Sequence, residues 1–287
     1  MRLLVFRSLW TNGFDLEAAL ADCAGGAFDG VEGPAPLDPS ERGEFAARLA
    51  GAGTAFIAEI ATGGGYVPAD PSPERHLEDF RRGAEAARAC GPLFLTVLAG
   101  SDRWPLSQSV DFLGQAMRIA EDLGLGACFE THRSRPTFSP WATRDLIEQL
   151  PGLRLTCDFS HWCCVCERLV LDGEPELLAR FADRAGHVHA RVGHAQGPQV
   201  PDPALPGYGP ELAAHERWWD AIWSAQERAE TGFATLTPEF GPDGYQQTHP
   251  FTGAPAADLG EINRWMAARQ RDRFNGRTGA ERPSACA

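Results

Sequence analysis

The chain has 287 residues and a formal charge of −13, from 26 basic and 39 acidic side chains. No basic stretch offsets that balance, which argues against a nucleic-acid partner, because phosphate binding needs clustered Lys and Arg. The length supports a large core without disulfides or a structural metal, and no run approaches a membrane span. From the N-terminus onward, apolar β-rich runs alternate with amphipathic stretches. Strands are expected at 3–10, 30–33, 54–61, 93–99, 127–131, 153–159, 187–192 and 234–240. Helices are expected at 16–23, 40–52, 73–90, 106–123, 143–149, 174–184, 211–229 and 257–273. Several helices stop at glycine, as at Gly91 and Gly124.

Eight strand–helix units predict one α/β domain, a single (β/α)8 TIM barrel over residues 1–274, with a polar, mobile C-terminal tail at 275–287. A doubly wound sheet is the alternative, but no Gly-rich phosphate fingerprint follows the first strand. Residues 195–209, with Gly197, Pro198, Pro201, Pro203 and Pro206, form a long loop of the functional or the disordered kind. The apolar start, Met1 to Arg7, is too short for a signal segment. Of eight cysteines, four crowd at Cys157, Cys163, Cys164 and Cys166. They read as buried thiols of a reduced, cytoplasmic protein rather than a disulfide framework or a soft-metal cluster.

Four apolar runs end on residues that bind divalent metals: Ala127-Cys128-Phe129-Glu130, Arg154-Leu155-Thr156-Cys157-Asp158, Gly186-His187-Val188-His189 and Thr235-Leu236-Thr237-Pro238-Glu239. A barrel keeps its active site at the C-terminal strand ends. Parallel neighbours lie a little under about 5 Å apart, so Glu130, Asp158, His189 and Glu239 can converge on one ion. His187 and His189 face the same side by period two, so either can be the ligand; His189 lies nearer the strand end. Three carboxylates and one imidazole favour Mn²⁺, with Mg²⁺, Co²⁺, Zn²⁺ or Fe²⁺ as alternatives.

Phe129-Glu130-Thr131-His132, Cys157-Asp158-Phe159-Ser160-His161-Trp162, His187-Val188-His189 and Pro238-Glu239-Phe240-Gly241-Pro242 together resemble the xylose-isomerase-like barrel superfamily. That superfamily includes ketose 3-epimerases, inosose dehydratases and sugar-phosphate isomerase-like proteins. The resemblance implies that Glu130, Asp158, His189 and Glu239 hold one divalent ion and that His161 contacts the substrate. It also implies that Glu130 and Glu239 exchange a proton at carbon from opposite faces. A chelated carbonyl with a neighbouring hydroxyl acidifies the adjacent C–H, which makes that chemistry self-consistent. Epimerases of this kind carry an arginine about where Ala195 falls; Arg191 and His194 are the nearest polar substitutes. The related apurinic-site endonucleases need extra histidines on the third and fourth strands and an Asp-x-His after the seventh. Here 54–61 and 93–99 contain no histidine, and Asp202-Pro203-Ala204 lacks the second ligand.

The expected substrate contacts are His161, His132, Arg191, Trp10 and Glu32. Glu59 points to the same barrel face as Glu32. Arg133 and Arg135 can bind a carboxylate or phosphate or belong to a solvated loop. Phe14, Trp104 and Trp162, like Trp10, lie at strand ends, where aromatics pack on sugar faces or simply on the core. Ser160 and His161 are read as strand neighbours facing opposite ways, which rules out a Ser-His pair. His215 and His249 read as ordinary helix or loop residues. Trp218, Trp219 and Trp223 share a helix that packs in the core or supports a homodimer or homotetramer.

The reading is a metal-dependent isomerase or epimerase of a small polyhydroxylated carbonyl compound, with neither nucleic acid nor membrane as partner. Its rivals are a lyase of an inosose or keto acid, a non-catalytic sugar- or metal-binding barrel, and iron-dependent oxidation.

Overall fold

All eight apolar runs form strands. They are β1 (Arg2–Ser8), β2 (Gly30–Gly33), β3 (Ala55–Ala61), β4 (Leu95–Leu98), β5 (Ala127–Glu130), β6 (Arg154–Cys157), β7 (Ala185–His189) and β8 (Phe233–Thr237). Every neighbouring pair is parallel and β8 closes on β1, giving a (β/α)8 barrel in simple sequence order. The computed structural model describes residues 1–242 and 244–280, the last three by backbone alone.

The helices are α1 (Leu16–Ala24), α2 (Pro39–Ala52), α3 (Pro73–Arg88), α4 (Leu106–Asp122), α5 (Pro140–Gln149), α6 (Ser160–Val165), α7 (Pro175–Arg184), α8 (Gly209–Arg228) and α9 (Leu259–Ala280). Asp38-Pro39, Ser72-Pro73 and Ser139-Pro140 begin α2, α3 and α5 by one device. The cap side chain accepts a first-turn N–H, and proline takes a position whose N–H would be unpaired. That pair starts α5 at Pro140, ahead of the apolar periodicity that predicts 143.

Two elements depart from the sequence reading. The sixth strand stops at Cys157 and the chain turns into α6, so Ser160 and His161 sit on a helix rather than a strand. The last helix continues to Ala280, beyond the expected tail boundary at 275. Its extension is held by Arg277, which pairs with Asp220 at 3.3 Å and Glu227 at 3.5 Å on α8; residues 281–287 lie outside the described residues. Trp218, Trp219 and Trp223 are buried in the chain's own core, so they offer no tryptophan-lined face to a second subunit.

The apolar core lies between barrel and helices, with Val5, Val31, Leu95, Leu155 and Leu236 pointing outward into it. Inside the barrel the side chains are largely polar. Thr96 and Thr156 meet at 2.6 Å across it, and Glu32, His187 and Thr237 fill the next level. The seven described cysteines are free. Cys163, Cys164 and Cys166 lie on or beside α6, and among the described residues no cysteine joins a group able to hold a metal. No helix among the described residues is long and apolar enough to cross a membrane.

Candidate active site

Strand register brings the four predicted ligands to one place. Glu130 pairs with Thr156, and Asp158 lies two residues beyond Thr156. Thr156 pairs with His187, and His189 lies two beyond that. His189 pairs with Thr237, and Glu239 lies two beyond again. Two residues is one same-face step along a strand, so all four side chains face the interior and climb as the strands stagger. One irregularity makes this parity work: Leu155 pairs with Ala185 but Thr156 pairs with His187, leaving Gly186 as an extra residue in β7. A Cβ on Gly186 would lie 2.4 Å from the Cys128 sulfur, so glycine is required there.

Ligand atoms of Glu130, Asp158, His189 and Glu239 all lie within 4.8 Å of one another, and all four residues are buried. Glu130 Oε2, His189 Nδ1 and Glu239 Oε2 have no hydrogen-bond partner. Buried polar atoms are normally satisfied, and a divalent cation would satisfy these three together. His189 Nε2 lies 2.9 Å from Glu32 Oε1. A carboxylate can only accept there, so Nε2 carries the proton and Nδ1 is left facing the cluster, as in carboxylate–histidine–metal arrangements. The residues present fit a divalent ion, and His189 rather than His187 is the imidazole that joins the carboxylates.

Glu32 therefore has a different place from the one expected. It is 1 % exposed, and its two oxygens serve His189 at 2.9 Å and His187 at 3.2 Å, with Thr237 donating as well. It orients the histidines from behind and has no free acceptor for a substrate hydroxyl. His187 lies one level deeper, with Nδ1 2.8 Å from Thr235 Oγ1.

Arg191 extends into the cluster. Its guanidinium donates to Asp158 Oδ2, lies 3.3 Å from Glu239 Oε2 and donates to His161 Nε2 at 3.0 Å. Asp158 Oδ1 is occupied by the Ser160 N–H at 3.1 Å and by the Ser160 hydroxyl. Ser160 thus serves Asp158 rather than His161. Glu130, His132 and His161 form a second close triple. Here Ser134 N–H donates to His132 Nδ1 at 3.3 Å and Arg191 to His161 Nε2, while His161 Nδ1 makes no hydrogen bond.

Burial and charge act against each other throughout. Burial would raise Glu239, but His189 and Arg191 hold it below the ordinary carboxylate range. Burial pushes Glu130 up to about 7, although His189 opposes the shift. Burial would depress His189, yet Glu239, Glu32 and Glu130 raise it well above an ordinary histidine. Burial, reinforced by Glu239, Glu32 and Glu130, pushes Glu59 up to about 8. Glu32, Glu130, Asp158 and Glu239 crowd around one guanidinium and the His189 imidazole, a surplus of acidic groups that a divalent cation would offset.

A cavity of about 170 Å³ opens above the cluster, lined among others by Trp10, Tyr66, Glu130, His132, Arg191, Glu239 and Tyr245. Trp10 fits because residue 241 is glycine: a Cβ there would lie 2.0 Å from the indole ring. Arg135 does not reach the cavity. It is fully buried and donates to the carbonyls of Thr62 at 2.9 Å, Gly100 at 2.8 Å, Gly65 at 2.5 Å and Tyr66 at 2.9 Å. This clamp fixes the loop that carries Tyr66. Trp162 is core, packed on Phe159 and Phe181, and Trp104 packs on His76 and Phe112. Phe14 and His249 are exposed.

The expected contacts Trp10, His132 and Arg191 line the cavity, while His161 lies just beneath, its ring 4.0 Å from that of His132. Tyr66 and Tyr245 were not singled out from sequence; their signal is position, in the loops after β3 and β8. Gln199 and Asn263 were also missed. Gln199 bonds both backbone groups of Gly241 at 2.9 and 3.2 Å, and Asn263 bonds both of Phe240 at 2.9 Å. Together they fix the segment beside Glu239. The 195–209 loop supplies Gln199 and is therefore an ordered support. His215, on α8, accepts the Gly193 N–H at 3.3 Å and steadies the same region.

A closed parallel barrel with metal-type donors converging at its C-terminal strand ends defines the class: a (β/α)8 barrel with a candidate metal centre. The chain belongs to the xylose isomerase-like TIM barrel family, whose pattern matches residues 18–214. Similar solved structures include the 3-keto-D-glucoside 4-epimerase YcjR from E. coli (16 % identity, 95 % of this chain and 99 % of that one, TM-score 0.61). The IOLI protein, with a binding zinc atom, is also similar (14 %, 96 % and 99 %, TM-score 0.63). So is endonuclease IV from Thermus thermophilus (15 %, 96 % and 100 %, TM-score 0.60). No curated protein matches the chain in sequence.

Proposed function

We propose that this protein is a divalent-metal-dependent isomerase or epimerase of a small polyhydroxylated carbonyl compound, with Glu130 and Glu239 as its acid/base pair. The observation that carries this reading is the pair itself: two buried carboxylates, each with an unpartnered oxygen, on the wall of one cavity. A divalent ion held by Glu130, Asp158, His189 and Glu239 would polarise a carbonyl and its neighbouring hydroxyl and so acidify the adjacent C–H. One glutamate removes that proton, and the other returns one to the opposite face. Arg191 holds Asp158 and His161 and donates toward developing negative charge. Trp10, Tyr66 and Tyr245 exclude water and offer faces for sugar C–H groups.

The oxygen-rich donor set supports Mn²⁺. A cavity of about 170 Å³ and a charge of −13 support a small molecule over nucleic acid. Free thiols support a reducing, cytoplasmic setting.

The test is metal analysis of the purified chain, followed by incubation of ketoses and inososes with Mn²⁺ in D₂O. Deuterium entering the substrate carbon is the expected result. Loss of water with an ultraviolet-absorbing enone would replace this reading with a lyase. Bound metal without exchange on any substrate would replace it with a binding protein.

A further inference from the structure

Arg133 and Arg191 line the cavity, whereas Arg135 does not reach it. Arg191 is held by Asp158, Glu239 and His161, and Arg135 by four backbone carbonyls. Arg133 differs. It is half-buried and lines the cavity, and its guanidinium lies 5.0 Å from the centre of the Tyr245 ring. Among the described residues it pairs with no carboxylate and donates no hydrogen bond.

The neighbours of Arg133 add donors rather than acceptors. Ser134 N–H occupies His132 Nδ1, so the neutral His132 ring carries its proton on Nε2, 3.4 Å from the Tyr245 hydroxyl. Glu130, Glu239, Trp10, Tyr66 and Leu98 line the same cavity. A ligand filling this space meets the Glu130 and Glu239 carboxylates, the Trp10, Tyr66 and Tyr245 rings and the Arg133 guanidinium.

Building on the polyhydroxy-carbonyl reading, we propose that Arg133 receives an anionic group of the substrate, so that the site takes sugar acids or sugar phosphates in preference to neutral sugars. The planar guanidinium presents paired N–H donors that match a carboxylate or phosphate edge, and the Tyr245 face holds its plane in place. A local cation also offsets the repulsion that the chain's negative charge exerts on an arriving anion.

The experiment is calorimetric titration of the Mn²⁺-loaded full chain with D-gluconate, D-glucitol 6-phosphate and neutral D-glucitol. At least one anion is expected to bind about tenfold or more tightly than glucitol, the scale of one charge-assisted contact. Arg133→Gln should remove that preference while leaving glucitol affinity and manganese content unchanged, and Arg133→Lys should retain part of it. Which anion loses affinity tells carboxylate from phosphate recognition. Equal binding of all three probes, or a preference that survives Arg133→Gln, overturns the assignment and leaves the polyhydroxy reading standing. Failure of all three probes to bind overturns both.

Discussion

Two polar layers are stacked inside this barrel, and they differ in whether their atoms are satisfied. In the lower layer Glu32, His187, Thr235 and Thr237 bond one another, and Thr96 meets Thr156. In the upper layer Glu130 Oε2, His189 Nδ1 and Glu239 Oε2 make no hydrogen bond, although His189 Nδ1 lies 3.0 Å from Glu239 Oε2 as an ion pair. Both layers are equally buried and built from the same kinds of side chain, so burial alone does not mark a site. The layer whose atoms make no hydrogen bonds is the candidate metal site, and the satisfied layer packs beneath it.

The comparison can be broken at several points. The largest effect belongs to the upper layer: Glu239→Gln should lower substrate deuteration by about 10²–10⁴-fold, the usual range for a lost acid/base group. Retained exchange and metal content would remove Glu239 from the site. Next, Mn²⁺ at about 100 times its Kd should stabilise the wild type by about 2.7 kcal/mol, and His189→Ala should abolish that gain in a thermal melt. A gain that survives would place the ion elsewhere. Glu32→Gln, in the lower layer, should weaken Mn²⁺ binding by about 10–100-fold without removing a ligand, as loss of a partner behind the ligand does; unchanged affinity would show that His189 needs no support.

The most gradual effect is on pH, and its sign differs between two glutamates. Glu32 lies below the ordinary carboxylate value: burial would raise it, but His189 and His187 outweigh burial. It therefore contributes stability above its unfolded value of 4.5, and that stability is lost as pH falls further. Glu59 is pushed up to about 8 from 4.5 by burial and by its acidic neighbours. Its contribution is full below 4.5 and is lost as pH rises toward 8. Denaturation of the metal-free chain across that window should show a decline that Glu59→Gln flattens; an unchanged slope would assign the decline to other groups.

Much of the fold was legible because its signals are local. Each strand is a short apolar run, each helix start a Ser-Pro or Asp-Pro pair or a change of period, and the four candidate ligands sit where those runs stop. What sequence did not reveal depends on partners far along the chain. Glu32 reads as a pocket residue until His189, 157 positions away, occupies it. Arg135 reads as a ligand for anions until the carbonyl of Gly65, 70 positions away, takes its donors. Tyr66 and Tyr245 stand in loops without periodicity, and only barrel closure brings them together. The turn into α6 was missed because Cys157 to Trp162 continues an apolar run while the backbone changes direction at Asp158.

The extra residue in β7 has a consequence for how this site tolerates change in chain length. Gly186 opposes nothing on β6, whereas Ala185 and His187 face consecutive residues of that strand. A chain one residue shorter at this point would keep both histidines facing inward. A chain of unchanged length with any larger residue there would drive a side chain into Cys128. Beneath its metal-type donors, then, this barrel accommodates a missing amino acid more readily than a different one.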